Sequence, residues 1–239
     1  CVCTINSASF GFAASPGALD PSFGIAGSVR TNILGTDRLN DIAVQSDGKI
    51  VAVGSSSVTD FTIVRYTANG VLDTTFSSDG IAFVDFGGTS DSARDVEVQS
   101  DGKIVVSGFV GPLTGTVGVS GVARFNANGS LDTTFAGDGT LSISNFAVGG
   151  SVLQPDGKIV LAGIGFVAGG SDINVVRVNS NGTLDLTFDT DGFAVTNVEL
   201  EDNVREVQLQ PDGKIVIAGN AVSGVAKSFV VRYLTNGSL

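Results

Sequence analysis

The chain of 239 residues has no histidine, no tryptophan and no methionine, and its two cysteines both lie at the start. Without histidine, the usual nucleophilic triads, HExxH zinc sites and imidazole acid–base chemistry are excluded. Cys1 and Cys3 are separated by one residue, too close for an unstrained disulfide between them, and two thiols alone do not make a zinc site. Three readings stay open: a lipid anchor at Cys1 of a processed lipoprotein, an interchain disulfide at an oxidising surface, or an inert chain end. No apolar run approaches the 18 or more residues of a membrane-spanning helix, so no span is expected. Positive charge is also scarce. With 13 Lys and Arg against 24 Asp and Glu, the net charge is −11, which argues against a nucleic-acid partner.

Glycine is abundant, at 33 residues, and it marks turns. The pentapeptide Asp-Gly-Lys-Ile-Val begins at positions 47, 101, 156 and 212, so its copies are 54 to 56 residues apart. Each copy has a glutamine two residues upstream (Gln45, Gln99, Gln154, Gln210) and runs into a glycine (Gly54, Gly108, Gly163, Gly219). Asp-Gly between apolar flanks predicts a β-hairpin closed by a two-residue type I′ turn, and the regular period predicts a repeat architecture.

Each repeat contains four strand-like segments. The first follows Leu-Asp-x-x-Phe, as in Leu72-Asp73 with Phe76, and includes the alternating run at 81–86. The second alternates, as in Asp41-Ile42-Ala43-Val44 and Asp95-Val96-Glu97-Val98, and is degenerate in the third copy at 149–153. The third is the continuously apolar Lys-Ile-Val-x-x-Gly, the pattern of a strand covered on both faces. The fourth carries an arginine, at Arg65, Arg124, Arg177 and Arg232, and ends in Asn-Gly. Groups of four short antiparallel strands predict an all-β propeller of four-stranded blades, with almost no helix. Residues 1–18 read as an N-terminal arm or linker and 19–239 as the propeller, with repeats at 19–71, 72–130, 131–183 and 184–239. The phase of the ends predicts a closed ring in which residues 24–33 pair antiparallel with the strand around 229–233.

On these motifs residues 19–239 resemble the delta-60 repeat, a bacterial secreted or surface family with the pattern LDxxF..DG, DGKIvvaG and VRYnanGsLD. The resemblance implies a propeller-like, exported protein at the cell surface or outside the cell, and it supplies no catalytic motif to transfer.

The candidate binding residues sit on loops of variable length at the end opposite the glycine turns, where function usually resides. They are Asp37, Asp60, Asp91, Asp172, Glu199, Glu201 and Asp202, an acidic rim suited to cations or cationic groups and equally readable as solvated charge. Asp185, Asp189 and Asp191 form the segment closest to a calcium loop, although Asx-type turns explain the same residues, and no other cofactor is expected. Arg65, Arg124, Arg177 and Arg232 read as structural, bonded to the aspartates of Leu-Asp. The expected function is a non-catalytic binding or structural module whose partner is a surface protein, a glycan or copies of itself. Two alternatives stand beside it: a subunit of a polymeric assembly joined through the arm, and a hydrolase or lyase using carboxylates on the loop-rich face.

Overall fold

The computed structural model describes residues 17–57, 59–111 and 118–239. The arm through residue 16, with Cys1 and Cys3, and part of the loop at 109–120 lie outside the described residues. Among the described residues fifteen strands form four antiparallel blades. Blade one is β1 (Arg38–Val44), β2 (Ile50–Ser55), β3 (Phe61–Tyr66) and β4 (Ile81–Val84). Blade two is β5 (Ser92–Val98), β6 (Ile104–Val110), β7 (Val119–Phe125) and β8 (Thr140–Ser144). Blade three is β9 (Phe146–Leu153), β10 (Ile159–Val167), β11 (Gly170–Val178) and β12 (Phe193–Thr196). Blade four has three strands, β13 (Glu201–Leu209), β14 (Ile215–Ser223) and β15 (Val225–Tyr233). One parallel bridge, Ser171 with Glu201, connects blades three and four.

The hairpin turn differs from the expected type. Gly48 lies at φ 83°, while Asp47 is not among the residues at positive φ. Gly48 N–H donates to the Gln45 carbonyl at 2.9 Å and Gln45 N–H to the Lys49 carbonyl at 2.8 Å. This is a three-residue loop ending in a left-handed glycine. The Asp47 carboxylate accepts the Lys49 N–H at 3.1 Å, so the aspartate acts through its side chain and only the glycine needs the left-handed backbone.

The blades pack through their faces. One apolar cluster joins blades one and two around Val53, Ile63, Phe76, Ile104 and Phe125. A second joins blades two and three around Phe135, Phe146 and Val176, and a third joins three and four around Val175, Phe188 and Ile217. Each junction is centred on an arginine. Arg65 Nε donates to Asp73 Oδ2 at 2.8 Å, Nη1 to the Ala127 carbonyl of the next blade at 2.5 Å, and its guanidinium lies 4.7 Å from the Phe76 ring centre. Arg124 repeats this with Asp132, Ser180 and Phe135, and Arg177 with Asp185, Thr235 and Phe188. The arginine therefore ties its strand to its own Leu-Asp turn and to the following blade. Arg232 and Asp20 are exposed and do not share this arrangement.

Among the described residues the expected closed ring of four blades is not found. Residues 24–33 do not pair with β15; Val29 and Ile33 pack instead on Ala52, Val64 and Tyr66 of blade one. Gly24 N–H donates to the Asn69 carbonyl at 2.9 Å, just as Ser77 N–H donates to the Asn128 carbonyl at 2.8 Å. The physical reason is the direction of the repeat. Each Leu-Asp-x-x-Phe segment bonds both the blade before it and the blade after it; with no blade before it, the first is held on blade one alone, and among the described residues no strand covers the outer edge of blade four.

Candidate functional site

All four inner strands carry a β-bulge, between Leu39 and Asp41 in β1, Ala93 and Asp95 in β5, Val148 and Gly150 in β9, and Val204 and Glu206 in β13. The extra residue is Asn40, Arg94, Gly149 and Arg205 in turn. A bulge re-aims a side chain without ending the strand. Here the bulge residues line a cleft at the loop-rich end. One part, of about 470 Å³, is bounded by Arg38, Asn40, Ser90, Arg94 and Phe109. A second, of about 300 Å³, shares Arg94, Phe109 and Gly149 and continues to Asn203 and Arg205. Among the described residues, Arg38, Arg94 and Arg205 make no ion pair, and Arg94 lies 6.0 Å from the Phe109 ring centre. In a chain of net charge −11, Arg38 borders the first part, Arg205 the second and Arg94 both, three arginines without carboxylate partners that give the cleft a local positive charge.

Next to the bulges stand carboxyl groups facing the neighbouring blade. Asp41 Oδ2 accepts the Val96 N–H at 2.9 Å, and Asp95 accepts the Ser151 N–H at 3.1 Å and the Ser151 hydroxyl. Burial pushes the Asp95 carboxyl up to about 6 against the Ser151 hydrogen bonds, with Asp41 and Glu206 adding repulsion. Glu97, two residues along the same face, is pushed up to about 7 by burial and then by Asp95, Asp41 and Glu206. Two carboxyls that change charge near neutrality thus stand on the strand whose bulge arginine lines the cleft, although neither lines it.

The residues expected on the acidic rim scatter. Only Asp60 and Asp91 come together, with Asp85 as a third member; one carboxylate oxygen from each lies within 4.8 Å of the others. Burial, and then Asp85 and Asp91, raise the Asp60 carboxyl. Asp91 is itself a loop clasp, accepting the Phe86 and Gly111 N–H groups, each at 3.0 Å. Asp37 clasps Ile33 and Leu34 in the same way, and Asp202 clasps Val198 and Glu199. Asp172 accepts from Asn197 at 2.7 Å, Glu199 pairs with Lys227 at 2.6 Å, and Glu201 is exposed at the bridge to blade three.

The calcium-like segment is engaged elsewhere. Burial would raise the Asp185 carboxyl, but hydrogen bonds from Thr187, Lys158 and Arg177 hold it well below the ordinary carboxylate range. Asp191 accepts the Phe193 N–H at 2.9 Å, and Asp189 N–H donates to the Asn236 carbonyl at 2.8 Å. Among the described residues these three carboxylates do not converge.

Asp95, Glu97, Arg94 and Arg205 were absent from the expected site. The signal for them was an acid at one repeat position (Asp41, Asp95, Glu206) next to a polar bulge residue, but a bulge is invisible in an alternating pattern.

A family model described as a domain of unknown function (DUF5122) β-propeller matches residues 45–76, 99–135, 154–188 and 210–239, more than half of the chain. The chain belongs to the DUF5122 β-propeller family. Each match includes an Asp-Gly-Lys-Ile-Val copy, and no curated protein matches the chain. The DUF5122 chain is also similar to solved structures. An ulvan lyase of polysaccharide lyase family PL25 is 10% identical over 82% of this chain and 55% of its own, with a TM-score of 0.47. A gluconolactonase candidate is 14% identical over 84% and 61%, at 0.44, and a GH43 endo-arabinanase from Bacillus licheniformis is 11% identical over 86% and 99%, at 0.34. The chain thus spans less than two thirds of the lyase and of the gluconolactonase candidate. At these identities the likeness concerns the fold alone. These three structures are enzymes by name, against the expectation of a non-catalytic module.

Proposed function

We propose that this DUF5122 propeller is a carboxylate-dependent hydrolase or lyase whose substrate is an acidic saccharide or sugar lactone. The observation that carries the reading is the pair Asp95 and Glu97, with pKa values raised to about 6 and about 7, on the strand whose bulge residue Arg94 lines the cationic cleft. Between these values Glu97 is still largely protonated and Asp95 largely ionised, so one can give a proton while the other takes one. In hydrolysis Asp95 takes the proton of an attacking water and Glu97 protonates the departing oxygen. In elimination Asp95 takes the proton from the carbon beside the substrate carboxylate, the adjacent carbon–oxygen bond breaks and Glu97 protonates the oxygen released. Arg38, Arg94 and Arg205 hold the substrate's negative charge, and neutralising a carboxylate also acidifies the carbon next to it. Kinship with the delta-60 repeat and action outside the cell belong to the same reading, supported by the four-copy motif.

The test is incubation with polygalacturonate, alginate and gluconolactone, following reducing ends, ultraviolet-absorbing unsaturated ends and lactone opening. The expected result is turnover of an acidic substrate, with a bell-shaped pH profile whose limbs fall near 6 and 7. Asp95→Asn and Glu97→Gln should each lose activity by about 100-fold or more. Unchanged turnover in both variants, or no turnover of any of the three, overturns it.

A further inference from the structure

The cleft has two lobes that meet at a waist, and this shape bears on the length of what it binds. The lobes, of about 470 and 300 Å³, have Arg94, Phe109 and Gly149 in common. Arg38 borders the first lobe alone and Arg205 the second alone. Each lobe thus has an arginine of its own and the waist has a third, and each can take one negative charge.

Two departures from the repeat build the waist. The residue after the strand-two glycine is Ser55, Phe109, Ile164 and Asn220 in successive blades, paired with Arg38, Ser92, Ala147 and Asn203. Blade two therefore places an aromatic ring where the others have none. Phe109 is half-buried, no other aromatic side chain borders either lobe, and the Arg94 guanidinium lies 6.0 Å from its ring centre. The second departure is Gly149, the bulge residue of blade three, which stands where the other blades have Asn40, Arg94 and Arg205. A Cβ at Gly149 would lie 2.6 Å from the Val204 carbonyl oxygen. The glycine lets β13 approach and adds no side chain where the lobes meet.

The remaining walls differ. The first lobe has Asn40 and the hydroxyls of Ser55, Ser90 and Ser92. Asn40 Nδ2 donates to the Ala93 carbonyl at 2.6 Å and to Ser92 Oγ at 3.2 Å, so the amide is held, and its Oδ1 has no donor among the described residues. The second lobe sets Ala147 and Ile164 beside Asn203. Hydroxyl and amide groups, apolar walls and an aromatic face suit pyranose rings, which carry hydroxyls on their rims and C–H bonds on their faces.

We propose that the cleft holds two successive units of an acidic oligosaccharide, one in each lobe, with the chain packed on Phe109 at the waist and one carboxylate on the arginine of each lobe. The inference rests on the reading of the cleft as an acidic-saccharide site and narrows it, because a single sugar lactone fills only one lobe. Each lobe reaches the lower bound of about 300 Å³ for a small-molecule pocket, so each takes one ring.

The experiment is titration calorimetry of the full chain with oligogalacturonates and oligomannuronates of one to four units. It is run at pH 8, where Asp95 and Glu97 are both ionised and turnover is slow. In at least one series the two-unit ligand should bind about 10- to 100-fold tighter than the one-unit ligand, with little gained beyond two. Arg38→Ala and Arg205→Ala alter exposed side chains without ion pairs, and each should bring the two-unit ligand down to nearly the one-unit affinity. Phe109→Leu keeps an apolar side chain without the ring and should weaken the two-unit ligand by about 3- to 10-fold. Arg232→Ala removes the same charge outside the cleft and should change nothing. Equal affinity for one and two units, or an equal loss in Arg232→Ala, overturns the two-lobe site and leaves the catalytic reading to its own turnover test. No binding in either series also overturns it. Chain-length dependence without turnover of any acidic substrate supports the site and sinks the catalytic reading.

Discussion

Strands β7 and β15 carry nearly the same words, Val-Ala-Arg-Phe at 122–125 and Val-Val-Arg-Tyr at 230–233, and end in opposite environments. Every residue of β7 is buried, whereas most of β15 is exposed. Arg124 holds Asp132, the Ser180 carbonyl and the face of Phe135, while Arg232 points to solvent. Local sequence thus selects the strand and its turn, and the neighbouring blade decides whether that strand becomes core. A repeat of this kind cannot bury its own faces, and its stability is largely a sum of junctions.

The sharpest way to break the comparison is at the arginines. Arg124→Ala removes one member of a buried pair and strands the Asp132 carboxylate, so it should destabilise by about 3 to 5 kcal/mol in urea unfolding. In the monomeric chain, Arg232→Ala should change stability by no more than about 0.5 kcal/mol. Apolar truncation should give the same contrast with smaller numbers. Val122→Ala should cost about 2 kcal/mol, and Val230→Ala close to nothing in the monomer.

The acids provide the smallest and most specific effect, because the lowered and the raised carboxyls respond to pH in opposite directions. Burial works against it, yet hydrogen bonds from Thr75 and Lys49 and the charge of Arg65 lower the Asp73 carboxyl to about 2. A depressed folded value contributes stability that is present above the unfolded value near 4 and is lost as pH falls towards 2. Asp95 and Glu97 are raised, so their contribution is complete below about 4 and is lost as pH rises through 6 and 7. From these groups stability should therefore peak near pH 4 and decline towards pH 7. Glu97→Gln should raise stability at pH 8 by about 1 to 2 kcal/mol after allowing for solvent screening, and change it little at pH 5. Melting temperatures at the two pH values check this.

Much of this was written in the sequence. The four strands per repeat, the glycine turns and the junction aspartates all follow from residue type at a fixed period. The arginine's reach into the next blade did not, since a carbonyl at Ala127 or Ser180 leaves no mark on a side-chain pattern. Ring closure was misread because Leu19 to Ile33 looks like an orphan strand in either topology; only its contact with Tyr66 and Asn69 shows which blade holds it. The cleft was hidden for a related reason. Bulges at Asn40, Arg94 and Arg205 shift the alternation by one residue, so side chains bordering the cleft read as ordinary solvent-facing positions.

The claim that neighbours rather than local sequence bury these strands is tested most directly by native-state hydrogen exchange on the monomeric chain. The account predicts slow exchange throughout residues 120–124 of β7, paired on both sides by β6 and β8. It also predicts nearly unprotected exchange at those β15 amides that face away from β14. Equal protection of both strands in the monomer would contradict it.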